Sequence, residues 1–313
     1  MKYFSYILRR LVTLIPVLLG ISVLVFLLLQ IVPGDPAVTL LGSHVTDEGV
    51  AALHQQLGLD KPLWQQYLTF LGHLLHGNLG ESYQYNSGVS QLITQNLVPT
   101  LWLIVTGVLF AVIITVPLAV WAASRRNGPA DNAIRTIPLI GLGLPAFWLG
   151  IMLVLLLSLK AGAFPASGFG DTFANHVKSI ILPGLTVALA LVPILVRSLR
   201  ASMIDVLASD YITTARAKGI GGRRVVLAHA LRNAAISSVT VLGVNIAYLI
   251  GSTVVVEKVF ALNGIGYLML TAIFNRDFPI VQGVTLVFAV MVVLVNLVTD
   301  LTHAALDPRV RLA

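Results

Sequence analysis

Long uncharged runs of apolar residues, separated by short polar segments, dominate the pattern along this chain. A helix needs about 20 apolar residues to cross the hydrocarbon core of a bilayer. Six runs satisfy or approach this requirement, and we predict spans at residues 11–34, 99–123, 137–159, 179–196, 234–256 and 278–299. The first run has no small-residue cleavage site at its end, so a retained helix is favoured over a signal peptide. The pattern predicts an all-α polytopic membrane protein whose termini lie on the same side.

Glycine and proline are concentrated in the third and fourth predicted spans. The first half of the third span contains Pro138, Gly141, Gly143, Pro145 and Gly150, and the fourth span contains two prolines. Membrane helices tolerate both residue types, which permit close packing or a kink. We therefore expect each run to form one helix that is kinked or closely packed.

A mixed polar segment, residues 36–98, separates the first two spans and is too long for a tight turn. Helical spacing recurs at 47–57 and 62–76. The second of these stretches has one apolar stripe, formed by Leu63, Tyr67, Phe70, Leu71 and Leu74. We interpret the segment as a small amphipathic cap on the membrane.

Three of the four histidines in this segment suggest a metal site as one alternative. They are His54, His73 and His76, and the last two are three residues apart. No carboxylate or further histidine stands nearby at a spacing typical of metal ligands. Structural or surface histidines are therefore the favoured interpretation.

The composition and the charge distribution define the class of protein and its orientation. Only 11% of the residues are charged, whereas soluble domains carry about 25%. There is no cysteine, which excludes disulfide and thiol chemistry. Of the 20 lysines and arginines, 15 fall at the two ends and in the second-to-third and fourth-to-fifth loops, so these regions are predicted to be cytoplasmic. Topology thus explains the net charge of +7, and nucleic-acid binding is not indicated.

Eight of the 13 acidic residues fall on the opposite, outer face, where we expect them to be solvated. They are Asp35, Asp47, Glu48, Asp60, Glu81, Asp171, Glu257 and Asp277. A mildly acidic outer surface would favour cationic or zwitterionic solutes.

Few polar groups occur within the predicted spans. No span centre holds an ionisable residue, whereas transporters driven by protons or sodium usually carry one. Gln30, Asn245 and Tyr248 are candidates for a translocation path, and interhelical hydrogen bonds are the alternative for each. The chain has no glycine-rich nucleotide loop, metalloprotease motif or hydrolase elbow. The sequence predicts a non-catalytic conduit that binds neither ATP nor a metal or other cofactor itself.

The most basic part of the chain is residues 210–234, between the fourth and fifth spans. Two helical pieces, 211–218 and 223–233, flank three glycines in four positions, which indicate a turn because glycine costs about 1 kcal/mol in a helix interior. Helical spacing places Tyr211, Ile212, Ala215 and Gly219 on one face, and Arg216 and Lys218 elsewhere. We expect this small-residue face to fit a groove of another protein.

The stretch resembles the cytoplasmic "EAA" loop of bacterial ABC importer permeases, in the version found in the dipeptide, oligopeptide and nickel branch. Gly219 aligns Thr213, Thr214 and Ala215 with the three motif letters, so threonine replaces the glutamate. Further segments match the "B"-type subunit of that branch in the right order. They are Pro33, Gly34, Asp35 and Pro36; Leu57 to Pro62 with Gln65 and Tyr67; Gly77 to Gly80; Pro145 to Gly150; Gly264 to Gly266; and Asp307, Pro308 and Arg309.

The resemblance implies a six-helix type I ABC importer fold in the bacterial inner membrane. It divides the chain into 1–98 (first helix and extracytoplasmic segment), 99–305 (transmembrane domain with the loop 197–233) and 306–313 (cytoplasmic tail). The implied partners are a second homologous permease, two cytoplasmic ATPases that bind ATP and Mg²⁺, an extracytoplasmic binding protein and membrane lipids. The implied ATPase-coupling residues are Asp210, Tyr211, Ile212, Thr213, Thr214, Ala215, Arg216, Ala217, Lys218 and Gly219.

Short peptides are the substrate class that the resemblance favours, with nickel, glutathione or another small solute as alternatives. A self-contained channel or secondary transporter is the alternative from a different class. It predicts transport without ATP or partners, and the absence of intramembrane charge disfavours it. A purely structural membrane anchor is the third alternative, and the glycine- and proline-rich third and fourth spans disfavour it.

Overall fold

The computed structural model of the chain describes residues 2–31, 35–41 and 45–306. Within these ranges the chain is helical, and the β-structure is one isolated bridge between Glu81 and Gly88. The helices are α1 (Lys2–Ile31), α2 (Pro36–Leu41), α3 (Asp47–Leu57), α4 (Leu63–Leu75), α5 (Val89–Ser124), α6 (Pro129–Leu142), α7 (Ala146–Lys160), α8 (Phe173–Leu207), α9 (Asp210–Ala217), α10 (Gly222–Val259), α11 (Ile265–Phe274) and α12 (Phe278–Leu306). Pro33, Gly34 and the predicted tail from residue 307 onward lie outside the described residues.

Four of the described helices are long and apolar enough to cross a membrane: α5, α8, α10 and α12. They contain the second, fourth, fifth and sixth predicted spans. The first predicted span falls largely on α1, which has a shorter apolar segment at Ile15–Leu27 among its described residues. The helical membrane architecture is confirmed, and the count of six spans stays a prediction.

The third predicted span is not one continuous helix. α6 ends at Leu142, and α7 begins at Ala146 with Pro145 in an extended conformation at its N-cap. Proline has no backbone N–H and disfavours helical geometry in the residue before it, so Gly143 to Pro145 end one helix and start the next. The expectation of a single kinked helix here is therefore wrong.

The chain divides into two compact units, and the first comprises Met1–Val98 and Ile265–Val290. In it, α4 packs on α1 through Tyr67 and Phe70 of the predicted apolar stripe. The ring of Tyr67 lies edge-on to Phe26 at 5.5 Å between centroids, and its hydroxyl is 2.9 Å from Ser22 Oγ. The helical boundaries and the amphipathic character predicted for this segment are confirmed.

Asp277 fixes a short hairpin in the same unit. Its carboxylate is buried, and Oδ2 accepts hydrogen bonds from Ser82 Oγ at 2.5 Å and from the backbone N–H of Gln84 at 3.1 Å. Burial and the negative charge of Asp277 raise the pKa of Tyr83 to about 12. The expectation that Asp277 is merely solvated is wrong, because its carboxylate is buried and accepts these hydrogen bonds. No local pattern reveals them, since Ser82 lies 195 positions earlier in the chain.

The second unit comprises Pro99–Gly264 and Met291–Ala313, and α8 is its most buried long helix. Glycines permit close helix packing here, as membrane interfaces require in the absence of a strong hydrophobic drive. A Cβ atom at Gly184 would lie 2.8 Å from Thr106 Oγ1, and one at Gly107 would overlap Val187. α5 and α8 therefore approach each other closely at this level.

Glu257, near the end of α10, is also fully buried in this unit. Its Oε1 accepts a hydrogen bond of 2.6 Å from Thr100 Oγ1, and its carboxyl group occupies the space that a side chain at residue 264 would need. The expectation of a solvated Glu257 is therefore wrong. Gly264 is required at its position by this close approach.

Candidate functional site

The basic stretch begins with α9, which closely matches the predicted helix 211–218. α8 runs on to Leu207, and a two-residue link, Ala208 and Ser209, connects it to Asp210 at the start of α9. The N–H of Lys218 bonds to the carbonyl of Thr214 at the far end. α9 is thus a two-turn helix joined to α8 by a short, defined corner.

Gly219 ends α9 in a left-handed conformation, with φ of +79°. Its N–H donates to the carbonyl of Arg216 at 2.9 Å, and the N–H of Ile220 donates to the carbonyl of Ala215 at 3.2 Å. Only glycine adopts this conformation without steric cost, which explains the residue at this position. The predicted glycine break is confirmed, and its cause is the backbone conformation at Gly219.

One face of α9 is buried against the chain itself. Ile212 is fully buried and Ala215 is 8% exposed. They belong to an apolar cluster that we call the α9 anchor, formed by Ala119, Ala123, Leu199, Met203, Ile212, Ala215, Val225, Ala230 and Ala234. The expectation that Ala215 allows close approach of another protein is therefore wrong, because its side chain already packs within this subunit.

The opposite face of α9 is exposed. Its centre is formed by Asp210, Thr213, Thr214 and Ala217, which follow helical spacing on the side away from Ile212. At the margins, Arg216, Lys218 and Gly219 are exposed, and the Tyr211 hydroxyl accepts a hydrogen bond of 3.1 Å from Asn233 Nδ2. Helical spacing places Tyr211, Ile212, Ala215 and Gly219 on one face. In the structure Ile212 and Ala215 are buried, whereas Tyr211 and Gly219 are exposed.

The second predicted helical piece, 223–233, is the start of α10 and runs without a boundary into the fifth span. A π-helical segment at Val225–Ala230 lies within it, and Val225 and Ala230 contribute to the α9 anchor. Arg223, Arg224 and Arg232 are exposed. The expected pair of separate short helices is wrong, because this second piece is continuous with a long helix.

An ion pair between a buried carboxylate and a partly buried arginine lies beside this region. Arg200, on α8, donates from Nε to Asp131 Oδ1 and from Nη2 to Oδ2 at 2.6 Å. Asp131 is fully buried in the first turn of α6, and its Oδ2 also accepts a hydrogen bond of 2.9 Å from the N–H of Asn127. The hydrogen bonds from Arg200 hold the pKa of Asp131 below its usual range. No local pattern in the chain indicates that these two residues, 69 positions apart, meet.

The three candidate path residues have different environments. Tyr248 on α10 is 80% exposed, and Asn245, one turn earlier, bonds to the carbonyl of Val241 in its own helix at 2.7 Å. Gln30 belongs to the first unit, where its side chain is 3.3 Å from that of Gln66. Only Asn245 and Tyr248 share an element.

His54 and His76 of the outer segment each contact a group other than a histidine. His54 Nε2 lies 2.8 Å from the carboxylate of Asp35, and this hydrogen bond lowers the Asp35 pKa. His76 Nδ1 is 2.8 Å from the carbonyl of Gly72. Among the described residues, no three histidine or carboxylate side chains converge as metal ligands.

Comparison with known proteins places this arrangement in a family. The profile described as binding-protein-dependent transport system inner membrane component matches residues 115–312, and the corresponding N-terminal profile matches residues 3–104. The chain belongs to this family of ABC importer permeases. It is an inner-membrane transport subunit and is not itself an enzyme. Members of this family function together with an ATPase and a substrate-binding protein, so these partners are implied for this chain.

Individual relatives agree with the family. The chain is 40% identical to the glutathione transport system permease protein GsiC of Salmonella choleraesuis (strain SC-B67), over 98% of this chain and 99% of that protein. It is 39% identical to the protein of the same name in Escherichia coli (strain K12), with the same coverage. The fold is similar to that of the inward-facing MetNI methionine ABC transporter, with a TM-score of 0.58 and 16% identity over 69% of this chain and 97% of that chain.

Proposed function

We propose that α9 is the contact through which the permease receives force from its ATPase. The observation that carries this proposal is the division of α9 into two faces. Ile212 and Ala215 fix the helix to the α9 anchor, so a push on the opposite face would be passed to α5, α8 and α10. Thr213, Thr214 and Ala217 would then contact the ATPase directly, and ATP and Mg²⁺ would be bound by that partner.

Arg216 and Lys218 flank the proposed contact and are exposed, on the side that the charge distribution predicts to be cytoplasmic. Cationic side chains at the margin of an interface increase the association rate when the partner surface is acidic. We propose that these two side chains contact acidic groups of the ATPase or lipid phosphates. Asp210 and Tyr211 complete the margin at the N-terminal end of the helix.

The translocation path would include Tyr248 and the face of α10 to which it belongs. A phenol that is 80% exposed in the middle of an apolar helix needs a partner or water, because an unsatisfied hydroxyl in hydrocarbon is costly. Lining a path shared with a second, homologous permease would satisfy this requirement. Asn245 lies one turn away on the same helix, and Gln30 stays the weakest of the three candidates.

The substrate class that we favour is short peptides. Two relatives at 39–40% identity carry the name of glutathione permeases, and glutathione is a tripeptide with a free amine and two carboxylates. Dipeptides and longer oligopeptides share that zwitterionic character, whereas nickel complexes do not require it. Glutathione is therefore the first alternative to test, and nickel is the second.

Purification of the tagged protein from native membranes in mild detergent tests the assembly and the substrate class proposed here. We expect a second permease and ATPase subunits to co-purify and to hydrolyse ATP. The complex, with its binding protein, is then reconstituted in liposomes, and uptake of labelled dialanine is competed with glutathione and with chelated nickel. Uptake without ATP by this chain alone would contradict the importer assignment, and an active complex that does not take up labelled dialanine would contradict the peptide assignment.

A further inference from the structure

The carboxylate of Asp131 is more buried and accepts more hydrogen bonds than the carboxylate of an ordinary surface ion pair. Its carboxylate is inaccessible to solvent and accepts hydrogen bonds from two Arg200 nitrogens and from the N–H of Asn127. Bidentate guanidinium–carboxylate pairs combine charge with fixed geometry. Because the carboxylate of this pair is buried, removal of Arg200 would leave an uncompensated charge, so loss of either partner disturbs the contact between the two helices.

The Arg200 end of this pair belongs to the same structural block as α9. Arg200 precedes Asp210 by ten residues, and α8 is helical over most of that distance. Leu199 and Met203, on either side of Arg200, pack in the α9 anchor with Ile212. A displacement of α9 would therefore move this part of α8 as well.

The Asp131 end belongs to a helix that is separated from its continuation. α6 has 14 residues and ends at Leu142, before the break that precedes α7. One turn beyond Asp131, Ile134 packs with Val192 and Val196 of α8 in a second apolar cluster. α6 is thus attached to α8 by a charged contact and an apolar contact, while its far end adjoins the break at Gly143 to Pro145.

We propose that the Arg200–Asp131 pair transmits the displacement of α9 to α6, so that the divided segment α6–α7 changes position together with the ATPase contact. This inference rests on the proposed role of α9. Arg200 and Asp131 would act as positioning residues, through their contact with each other. The hinge at Gly143 to Pro145 allows α6 to follow α8 without bending α7 by the same amount.

The first test measures a distance in the complete complex. Spin labels are placed at Ala133→Cys on α6 and Asp205→Cys on α8, both exposed positions, in complexes whose partner subunits lack reactive thiols. This chain has no cysteine of its own, so the labels are specific. We expect the same narrow distance in the nucleotide-free and vanadate-trapped states, and a broadened or state-dependent distance in Asp131→Asn and Arg200→Gln.

The second test measures coupling in the same complex without labels. ATP hydrolysis and accumulation of labelled dialanine and glutathione are recorded together. In Asp131→Asn and Arg200→Gln we expect transport per ATP to fall by about tenfold while hydrolysis is retained, a loss within the range of allosteric couplings. Arg197→Gln is the matched control, because Arg197 is an exposed arginine one turn earlier on α8, and it should behave as the parent. If the parent accumulates neither dialanine nor glutathione, the distance measurement alone decides whether the inference holds.

Two results would overturn the inference. One is an unchanged distance in both variants together with unchanged transport per ATP. The other is failure of Asp131→Asn and of the conservative Arg200→Lys to assemble, which would assign the pair a structural role only. Ala217→Trp, prepared in parallel, tests α9 itself: if this variant binds and is stimulated by the ATPase normally, the proposed function fails. If Ala217→Trp impairs ATPase binding or stimulation while the ion-pair variants behave as the parent, only the inference about the ion pair is rejected.

Discussion

Ile212 of α9 and Met203 of α8 are both fully buried, and they lie in the same apolar cluster. α9 is therefore part of the permease core on one side and exposed on the other. A short helix that docks on another protein transmits force only if it is fixed to its own subunit. The packing of these two residues in one cluster supplies that fixation.

Substitutions on the two faces of α9 should have different consequences. Ala215→Leu adds volume to a filled cluster, and overpacking typically costs about 1–3 kcal/mol, so the amount of folded protein should fall. Ala217→Leu has the same chemistry on the exposed face and should leave the folded amount unchanged while weakening ATPase co-purification. Size-exclusion profiles of the tagged variants measure both effects. Equal loss of folded protein in the two variants would contradict the assignment of faces.

Gly219 should resist replacement because of its backbone conformation. An alanine in its place would have to adopt φ near +79°, which costs an L-residue about 1 kcal/mol. Thermal unfolding of the purified chain should therefore show a lower midpoint for Gly219→Ala. Gly222→Ala is the control, because Gly222 begins α10 without a positive φ and an added Cβ meets nothing within 4 Å. A shift of the same size in both variants would refute this explanation.

Gly264 should be even less tolerant, for a steric reason. The carboxyl group of Glu257 would overlap an added Cβ, and it cannot move freely because it is buried and bonded to Thr100. We expect Gly264→Ala to reduce the free energy of unfolding by about 1–3 kcal/mol. Gly251→Ala, on the same helix as Glu257, places its Cβ in open space and serves as the control. Denaturant titration in detergent distinguishes the two, and a stable Gly264→Ala protein would exclude the close packing described.

The Arg200–Asp131 pair predicts a specific response to acid. Because Arg200 lowers the pKa of Asp131 in the folded protein, the pair stabilises the fold above the ordinary aspartate pKa of about 4. That contribution is lost as the pH falls below about 4 and through the lowered pKa. The difference in unfolding midpoint between parent and Asp131→Asn should therefore be constant near neutrality and shrink in acid. A difference that grows in acid would contradict the assignment.

The local pattern of the sequence was sufficient for several elements. Helical spacing and the glycine break placed α9 within one residue at each end, and the apolar stripe of α4 identified the face that packs on α1. The orientation of α9 was not readable, because small and apolar residues suit either a subunit core or an interface. Ile212 and Ala215 face inward only because α5, α8 and α10 meet there.

Other features depend on residues that are distant in sequence. Glu257 and Asp277 looked like solvated outer carboxylates, and their hydrogen-bond partners Thr100 and Ser82 are 157 and 195 positions away. The division of the third span is not predicted from the sequence, for a different reason. Proline is tolerated in membrane helices when neighbouring groups satisfy the backbone, so Pro145 alone does not reveal whether a helix kinks or ends.

Site-specific cross-linking from α9 tests the central claim most directly. Single cysteines at Thr213, Thr214 and Ala217, and at Ile212 and Ala215 for comparison, are introduced into this cysteine-free chain within the complete complex. We predict cross-links to the ATPase from the first three positions and none from the buried pair. Cross-links from Ile212 and Ala215, or no cross-link to the ATPase from the exposed face, would contradict the account.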